Sequence, residues 1–413
     1  MQLAVLAAGC DTEPSPCGND GGAACPTEGG AALDTPPANQ ADGPATQPDG
    51  SPNPADGPAN SPDGPGPDAP VDTAVPGGPD APLGDLPDVM AGTARPLDIL
   101  FLIDNSPSMK EEQQNLRRNF PAFIEQLRRI RGVLPDLHLG VVSSDLGAGS
   151  QPLGNGGCAR PGGDRGIFQT KPTCGLANNA LFATSLNDGT TNNFAGTLEN
   201  TFSCMADLGT AGCGYEHQLQ ATRVALYEAV SPQNKGFLRE DAVLAIFILS
   251  DEDDCSAEPN SNLFIDDASF PMTTASFRCS QTGHVCNGVS PPLTAFDAPL
   301  ENCRANDAGR LIHVREVVDS IRALKKQPDR DIVVAGFFGW PTNPVGARYR
   351  YIPTMQGVDV GPICQSASGD AAVGLRLKQF VESFGTGGSF FTICQDDFRA
   401  ALQVIGQSLA VRL

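Results

Sequence analysis

Asp104, Ser106 and Ser108 stand in the run Asp104-Asn105-Ser106-Pro107-Ser108, directly after the apolar stretch LDILFLI and directly before a helical pattern. One carboxylate and two hydroxyls alternate there, three oxygens that a turning loop can aim at one point. Such a set suits a hard cation such as Mg²⁺, which takes oxygen ligands in octahedral array. A second acid, Asp251, closes the apolar stretch AVLAIFILS and is followed by Glu252, Asp253 and Asp254. Ser106 is also placed to cap the coming helix and Pro107 to sit in its first turn, so capping alone is a competing explanation.

The elements that must position these groups are legible around them. Apolar runs at 97–103, 137–144, 242–250, 331–339 and 388–394 read as strands, and most are continuous rather than alternating, as expected where helices cover both faces. Between them lie helical segments, among them SMKEEQQNLRRNFPAFIEQLRRI, EHQLQATRVALYEAV, AGRLIHVREVVDSIRALKK, GLRLKQFVESF and QDDFRAALQVIGQSLAVRL. In the first, Met109, Leu116, Phe120, Phe123, Ile124 and Leu127 recur at helical spacing, while Pro121 should kink or break it near Asn119. The alternation predicts an α/β fold, a doubly wound and mostly parallel sheet with helices on both faces, over residues 96–413. Two long stretches, about 146–203 and 255–306, interrupt it as insertions rich in Gly, Asn, Pro and Cys. In open α/β sheets ligands gather at the carboxyl ends of strands, where both Asp104 and Asp251 fall.

Strand, DxSxS, helix, and a later strand ending in an acid is the order of the metal-ion-dependent adhesion site in von Willebrand factor type A domains. The sequence resembles that family over most of 97–413, with direct matches at Asp104, Ser106 and Ser108 and a third-loop match at Asp251. For the middle-loop threonine, Thr210 in GTAGCGYEHQLQATRVAL is preferred to Thr190, Thr191 or Thr222. The resemblance implies Mg²⁺ or Mn²⁺, with Ca²⁺ as a further candidate, held by the serines and by Thr210 or Asp251. It also implies a protein partner whose acidic side chain completes the metal's shell. One departure is that the family's usual Gly after the third-loop Asp is Glu252 here. Glu252, Asp253 and Asp254 are therefore candidates for an additional cation, or for support behind the ligands, and they could repel an acidic partner.

Thirteen cysteines without any CxxC, and with His138, His217, His284 and His313 scattered, point to disulfides in an oxidising compartment rather than to soft-metal sites. Ten of them, Cys158, Cys174, Cys204, Cys213, Cys255, Cys279, Cys286, Cys303, Cys364 and Cys394, fall in the globular part and could brace the insertions. Cys213 and Cys255 flank the two downstream metal loops, so a disulfide near the rim is expected. Cys17 and Cys25 could pair locally, and Cys10 is left over.

The opening MQLAVLAAGC explains the odd cysteine, because Leu-Ala-Ala-Gly-Cys resembles the lipobox of bacterial lipoproteins, with residues 1–10 as a partial signal and Cys10 the lipidated residue. Residues 11–95, rich in Pro, Gly, Ala and Asp, read as a disordered linker. Through residue 95 the chain carries 14 acids against the single Arg95, so most of the net charge of −21 belongs to that stretch. No concentrated Lys/Arg patch remains for nucleic acid. GxSxG, Walker, HExxH and post-strand GxGxxG patterns are missing, so an enzyme is not expected. The expectation is a cell-envelope lipoprotein displaying a domain for divalent-metal-dependent protein binding or adhesion. A disulfide-braced scaffold with a vestigial metal site is the alternative, and a metal-dependent hydrolase the remaining one.

Overall fold

Every side chain of Leu97–Ile103 (β1) is buried, which requires cover on both faces of the strand. Successive side chains point oppositely. Leu97, Ile99, Phe101 and Ile103 pack with helices α1 (Lys110–Arg131) and α2 (Leu198–Met205) and with the helix Arg399–Ala410, numbered α7 below. Leu100 and Leu102 face α3 (Gln218–Leu226), and between α3 and α7 the chain forms α4 (Ala275–Gly283), α5 (Val314–Arg322) and α6 (Leu375–Glu382), of which α5 and α6 share that second core. Burying each of these large apolar side chains is worth about 1.5–3 kcal/mol, so β1 is the keel of the domain.

In this computed structural model the described residues are 95–149, 158–265, 270, 273–355, 357–367 and 369–413. The Cys10 lipobox, the stretch through residue 94 and the Cys17/Cys25 pair lie outside them. The remaining strands of the central sheet are β2 (Leu137–Ser143), β3 (Ala183–Leu186), β4 (Thr191–Asn192), β5 (Val243–Leu249), β6 (Ile332–Phe338) and β7 (Gly388–Thr392). They lie in the order β7-β6-β5-β1-β2-β3-β4. The first five in that order run parallel, and β3 and β4 complete the edge antiparallel. This is the doubly wound, mostly parallel α/β architecture. The chain leaves β1 for β2 on one side and later returns to β5 on the other, which opens a crevice at the carboxyl ends of β1 and β5.

Three details differ from the sequence reading. Helix α1 runs unbroken through Pro121. Pro121 is exposed, while Phe120, Phe123 and Ile124 are buried and keep the helix packed on either side of it. The first insertion is not a bare loop, since it supplies β3, β4 and α2. A third insertion, not anticipated, follows β6: Arg348–Thr354 pairs with Gly357–Val360 and with Phe296–Pro299 of the second insertion, and a hairpin of Cys364–Ser366 with Gly369–Ala371 comes next.

All ten globular cysteines are paired, as 158–213, 174–204, 255–279, 286–303 and 364–394. Cys213 and Cys255 each form a disulfide, though not with each other.

Candidate metal centre

Asp104 follows β1, and its backbone N–H still donates to Leu249 O of β5 at 2.9 Å, which fixes it at the mouth of the crevice. Its side chain is fully buried. Oδ1 accepts from Ser106 N at 2.9 Å and from the Ser144 hydroxyl at 3.0 Å, and Oδ2 accepts from the Ser250 hydroxyl at 2.6 Å. Ser144 and Ser250 are the residues immediately after β2 and β5. Three adjacent strand ends therefore converge on one carboxylate.

Because Ser106 N bonds back to Asp104, residues 105–108 form a turn, and α1 starts only at Lys110. Ser106 is not the helix cap and Pro107 is not in the first helical turn, since Met109 occupies the cap position without a side-chain bond. That leaves the Ser106 hydroxyl 3.4 Å from the Ser108 hydroxyl. Across the crevice Asp251 is 3% exposed, and its Oδ1 has no hydrogen-bond partner. Burial, then the charges of Asp104 and Glu252, push its carboxyl well above the ordinary range, opposed by the Ser108 hydroxyl.

The middle loop is docked on this point by its backbone. Gln113 Nε2 donates to Asp104 O at 2.8 Å and to Gly209 O at 2.9 Å, and Gly212 N donates to Asn105 O at 2.8 Å. A Cβ on Gly212 would sit 2.2 Å from Asn105 Oδ1, so the approach needs glycine there. Thr210 lies between these two anchors, half-buried, but among the described residues no hydrogen bond joins it to Asp104, Ser106, Ser108 or Asp251. The side chain that this loop does bring to the cluster is Glu216, just before α3. Burial and the charges of Glu252 and Asp104 push its carboxyl well above the ordinary range.

The acids after Asp251 divide. Asp253 caps α6, accepting from Arg376 N at 2.8 Å and Leu377 N at 3.1 Å, and it also bonds His284 Nε2 at 2.6 Å. Asp254 accepts from the buried Arg376 guanidinium at 2.9 Å, from Leu219 N at 2.9 Å and from Ser256 Oγ at 2.6 Å. Their oxygens are taken up in holding α3 and α6 to the third loop. Only Glu252 turns to the cluster. Burial, with Asp104 and Asp359 as neighbouring charges, raises it to about 7. From α1, Glu112 joins and is raised to about 7 by burial and by the charges of Glu111, Asp104 and Asp370. Asp104 itself is raised by burial, opposed by its bonds from Ser250, Ser106 and Ser144.

Among the described residues no lysine or arginine pairs with Asp104, Glu112, Glu216, Asp251 or Glu252. On these residues the buried atoms left without partners are the acceptors Asn105 Oδ1, Glu112 Oε2, both Glu216 oxygens, Gln218 Oε1 and Asp251 Oδ1, while His217 Nδ1 and Arg376 Nη1 are buried nitrogens in the same state. A cluster short only of positive charge and donors fits a cation. Among the described residues no three His, Cys, Asp or Glu side chains stand close enough to cage an ion unaided, so serine hydroxyls and water must share the coordination.

Sequence reasoning missed Ser144, Ser250, Glu112 and Glu216. For the two serines the signal was available, as each is the first residue past an apolar strand that ends beside Asp104.

No protein-family model matches the chain, and no curated protein matches it. Among solved structures it is similar to the D319A mutant of the PilB minor pilin from Streptococcus sanguinis, at 12% identity and a TM-score of 0.32, over 78% of this chain and 62% of that one. A von Willebrand factor type A protein from Catenulispora acidiphila matches at 9% identity and TM-score 0.31, over 77% of this chain and 42% of that one. The pilus adhesin SpaC from Lactobacillus rhamnosus GG matches at 11% identity and TM-score 0.31, over 78% and 31%. The chain thus spans less than two thirds of each of these proteins, and likenesses at this level assign it neither ligand nor role.

Proposed function

We propose that this chain is a cell-envelope protein whose α/β domain binds a protein partner with the help of a divalent cation, and that it is not an enzyme. The observation that carries the reading is Asp251, buried with one oxygen lacking any partner, whose carboxyl the Ser108 hydroxyl reaches, with the Ser106 hydroxyl 3.4 Å from that of Ser108. Ser106, Ser108 and Asp251 would hold Mg²⁺ or Mn²⁺. Asp104 keeps the loop in shape, since its two oxygens are already engaged by three strand ends. When bound, the ion would offer an open coordination position to an acidic side chain of the partner. Five disulfides support folding in an oxidising compartment. In the same proposal Cys10 carries the lipid and residues 11–95 are the tether, so Cys10→Ser should move the chain from the membrane fraction to the soluble one.

The test is calorimetric titration of Mg²⁺ and Mn²⁺ into the oxidised full chain, beside Ser108→Ala and Asp104→Ala. Ser108 is exposed, so its variant keeps the fold. A binding step present in the wild type and lost in both variants is the expected result, while uptake equal in all three, or absent from all, overturns the reading. A scaffold without metal is the second reading, favoured by the complete hydrogen bonding of Asp104, and it corresponds to the absent-uptake result.

A further inference from the structure

Glu216 is 1% exposed, yet neither of its carboxyl oxygens has a hydrogen-bond partner. The Glu252 carboxyl faces it at hydrogen-bonding range. Two ionised carboxylates are both acceptors and can satisfy nothing in each other, so either a proton or a cation must sit between them. Glu252 Oε2 has one donor of its own, the Ser276 hydroxyl at 2.7 Å, contributed by α4 of the second insertion. Gln218 adds another oxygen, because its Nε2 is spent on Ser250 Oγ at 2.7 Å and Glu252 O at 3.3 Å, leaving Oε1 buried without a donor.

The backbone forbids an easy escape. Glu216 O accepts from Cys255 N at 2.7 Å, and the next amide, His217 N, donates to Ser144 O at 2.9 Å. Disulfides 158–213 and 255–279 clamp the chain on either side of these two bonds. The Glu216 backbone is therefore held in place, and its buried carboxyl lacks a donor or a positive charge.

We propose that Glu216 and Glu252, with the Gln218 amide oxygen, hold a second divalent cation beside the one assigned to Ser106, Ser108 and Asp251. The donors are oxygens alone, with no thiolate or imidazole, so the ion is of the hard class, Ca²⁺ or Mg²⁺. The site draws on α3, the third loop and the second insertion through Ser276, whereas the first draws on the β1–α1 turn and Asp251. It gives the second insertion a stake in metal binding, and it does not depend on occupancy of the first site.

Calorimetric titration of Ca²⁺, and separately of Mg²⁺, into the metal-free full chain tests this with three proteins: wild type, Glu216→Gln, and the double variant Ser106→Ala/Ser108→Ala. The expected result is two equivalents in the wild type and one in each variant. In chelator, Glu216→Gln should melt no lower than wild type, which separates loss of a ligand from loss of the fold. A wild type that binds one ion, lost in the serine variant and kept in Glu216→Gln, overturns the second site and leaves the first. One ion lost in Glu216→Gln and kept in the serine variant does the reverse. One ion lost in both variants makes Glu216 part of a single site and overturns the proposal. No uptake at all means a proton, not a metal, joins the two glutamates, and overturns both.

Discussion

The Ser250 hydroxyl donates to Asp104 Oδ2 at 2.6 Å, and so ties the first residue after β5 to the first residue after β1. Gln218 Nε2 in turn donates to Ser250 Oγ at 2.7 Å, which carries the chain of bonds on to α3. Ser250→Ala removes a charge-assisted bond to a fully buried carboxylate and should cost about 1.5–3 kcal/mol in denaturant unfolding. A cost below about 0.5 kcal/mol would mean that Asp104 is held by Ser106 and Ser144 alone.

Arg376 and Asp254 form an ion pair with both side chains fully buried. Removing the cation alone, by Arg376→Met, strands the carboxylate and should cost about 3–5 kcal/mol. Urea denaturation of Arg376→Met against wild type measures it, and Asp254→Asn combined with Arg376→Met should recover part of the loss.

Glu112 and Glu252 are both raised to about 7, against an ordinary value of 4.5. In the metal-free protein the native state therefore keeps these protons where the unfolded chain has given them up. Their contribution to stability is whole below about 4.5 and is lost as pH rises through about 7. Melting temperatures in chelator should fall along that interval, and Glu112→Gln should flatten the fall; the difference between the two proteins cancels every other titrating group. At pH 7.5, Mg²⁺ should raise the melting temperature of wild type. A wild type and Glu112→Gln with parallel profiles would count against the Glu112 assignment.

Disulfide 158–213 closes a loop of 55 residues that includes most of the first insertion and ends in the middle loop. Its loss in Cys158→Ser/Cys213→Ser should lower stability by about 4 kcal/mol on the loop-entropy account. Hydrogen exchange should show the loosening first at residues 209–217, because that is where the bridge meets the loop docked on Asp104.

Pro121 lies mid-helix and exposed. Pro121→Ala restores an i to i−4 bond without touching the core, and should stabilise by about 1–2 kcal/mol after the greater freedom of the unfolded chain is deducted. Thermal melting of that single variant decides it.

The strands were legible because burial on both faces leaves near-continuous apolar runs such as LDILFLI, broken only by Asp98, and VLAIFIL. Asp104, Ser106 and Ser108 were legible because they are contiguous. Glu216 was not, since nothing in YEHQ distinguishes a glutamate aimed into the crevice from one in solvent; its burial is created by Cys255 N and Ser144 O, both distant in sequence. For Asp253 and Asp254 the choice between support and cation binding was open in the sequence for the same reason. Their roles depend on Arg376, more than 120 residues away. The hairpins after β6 were missed because pairings of only four and three residues leave little periodicity to read.

The chain enters β1 at Leu97, and the Asp104 crevice lies at that strand's opposite end. A partner gripping the crevice while the entering segment is pulled would load β1 along its length. Parallel neighbours flank it on both sides, each in register from Leu97 to Ile103. Force in that direction shears all of the ladder bonds together instead of opening them one at a time, so the strand that leads into the Asp104 turn is braced against being pulled out.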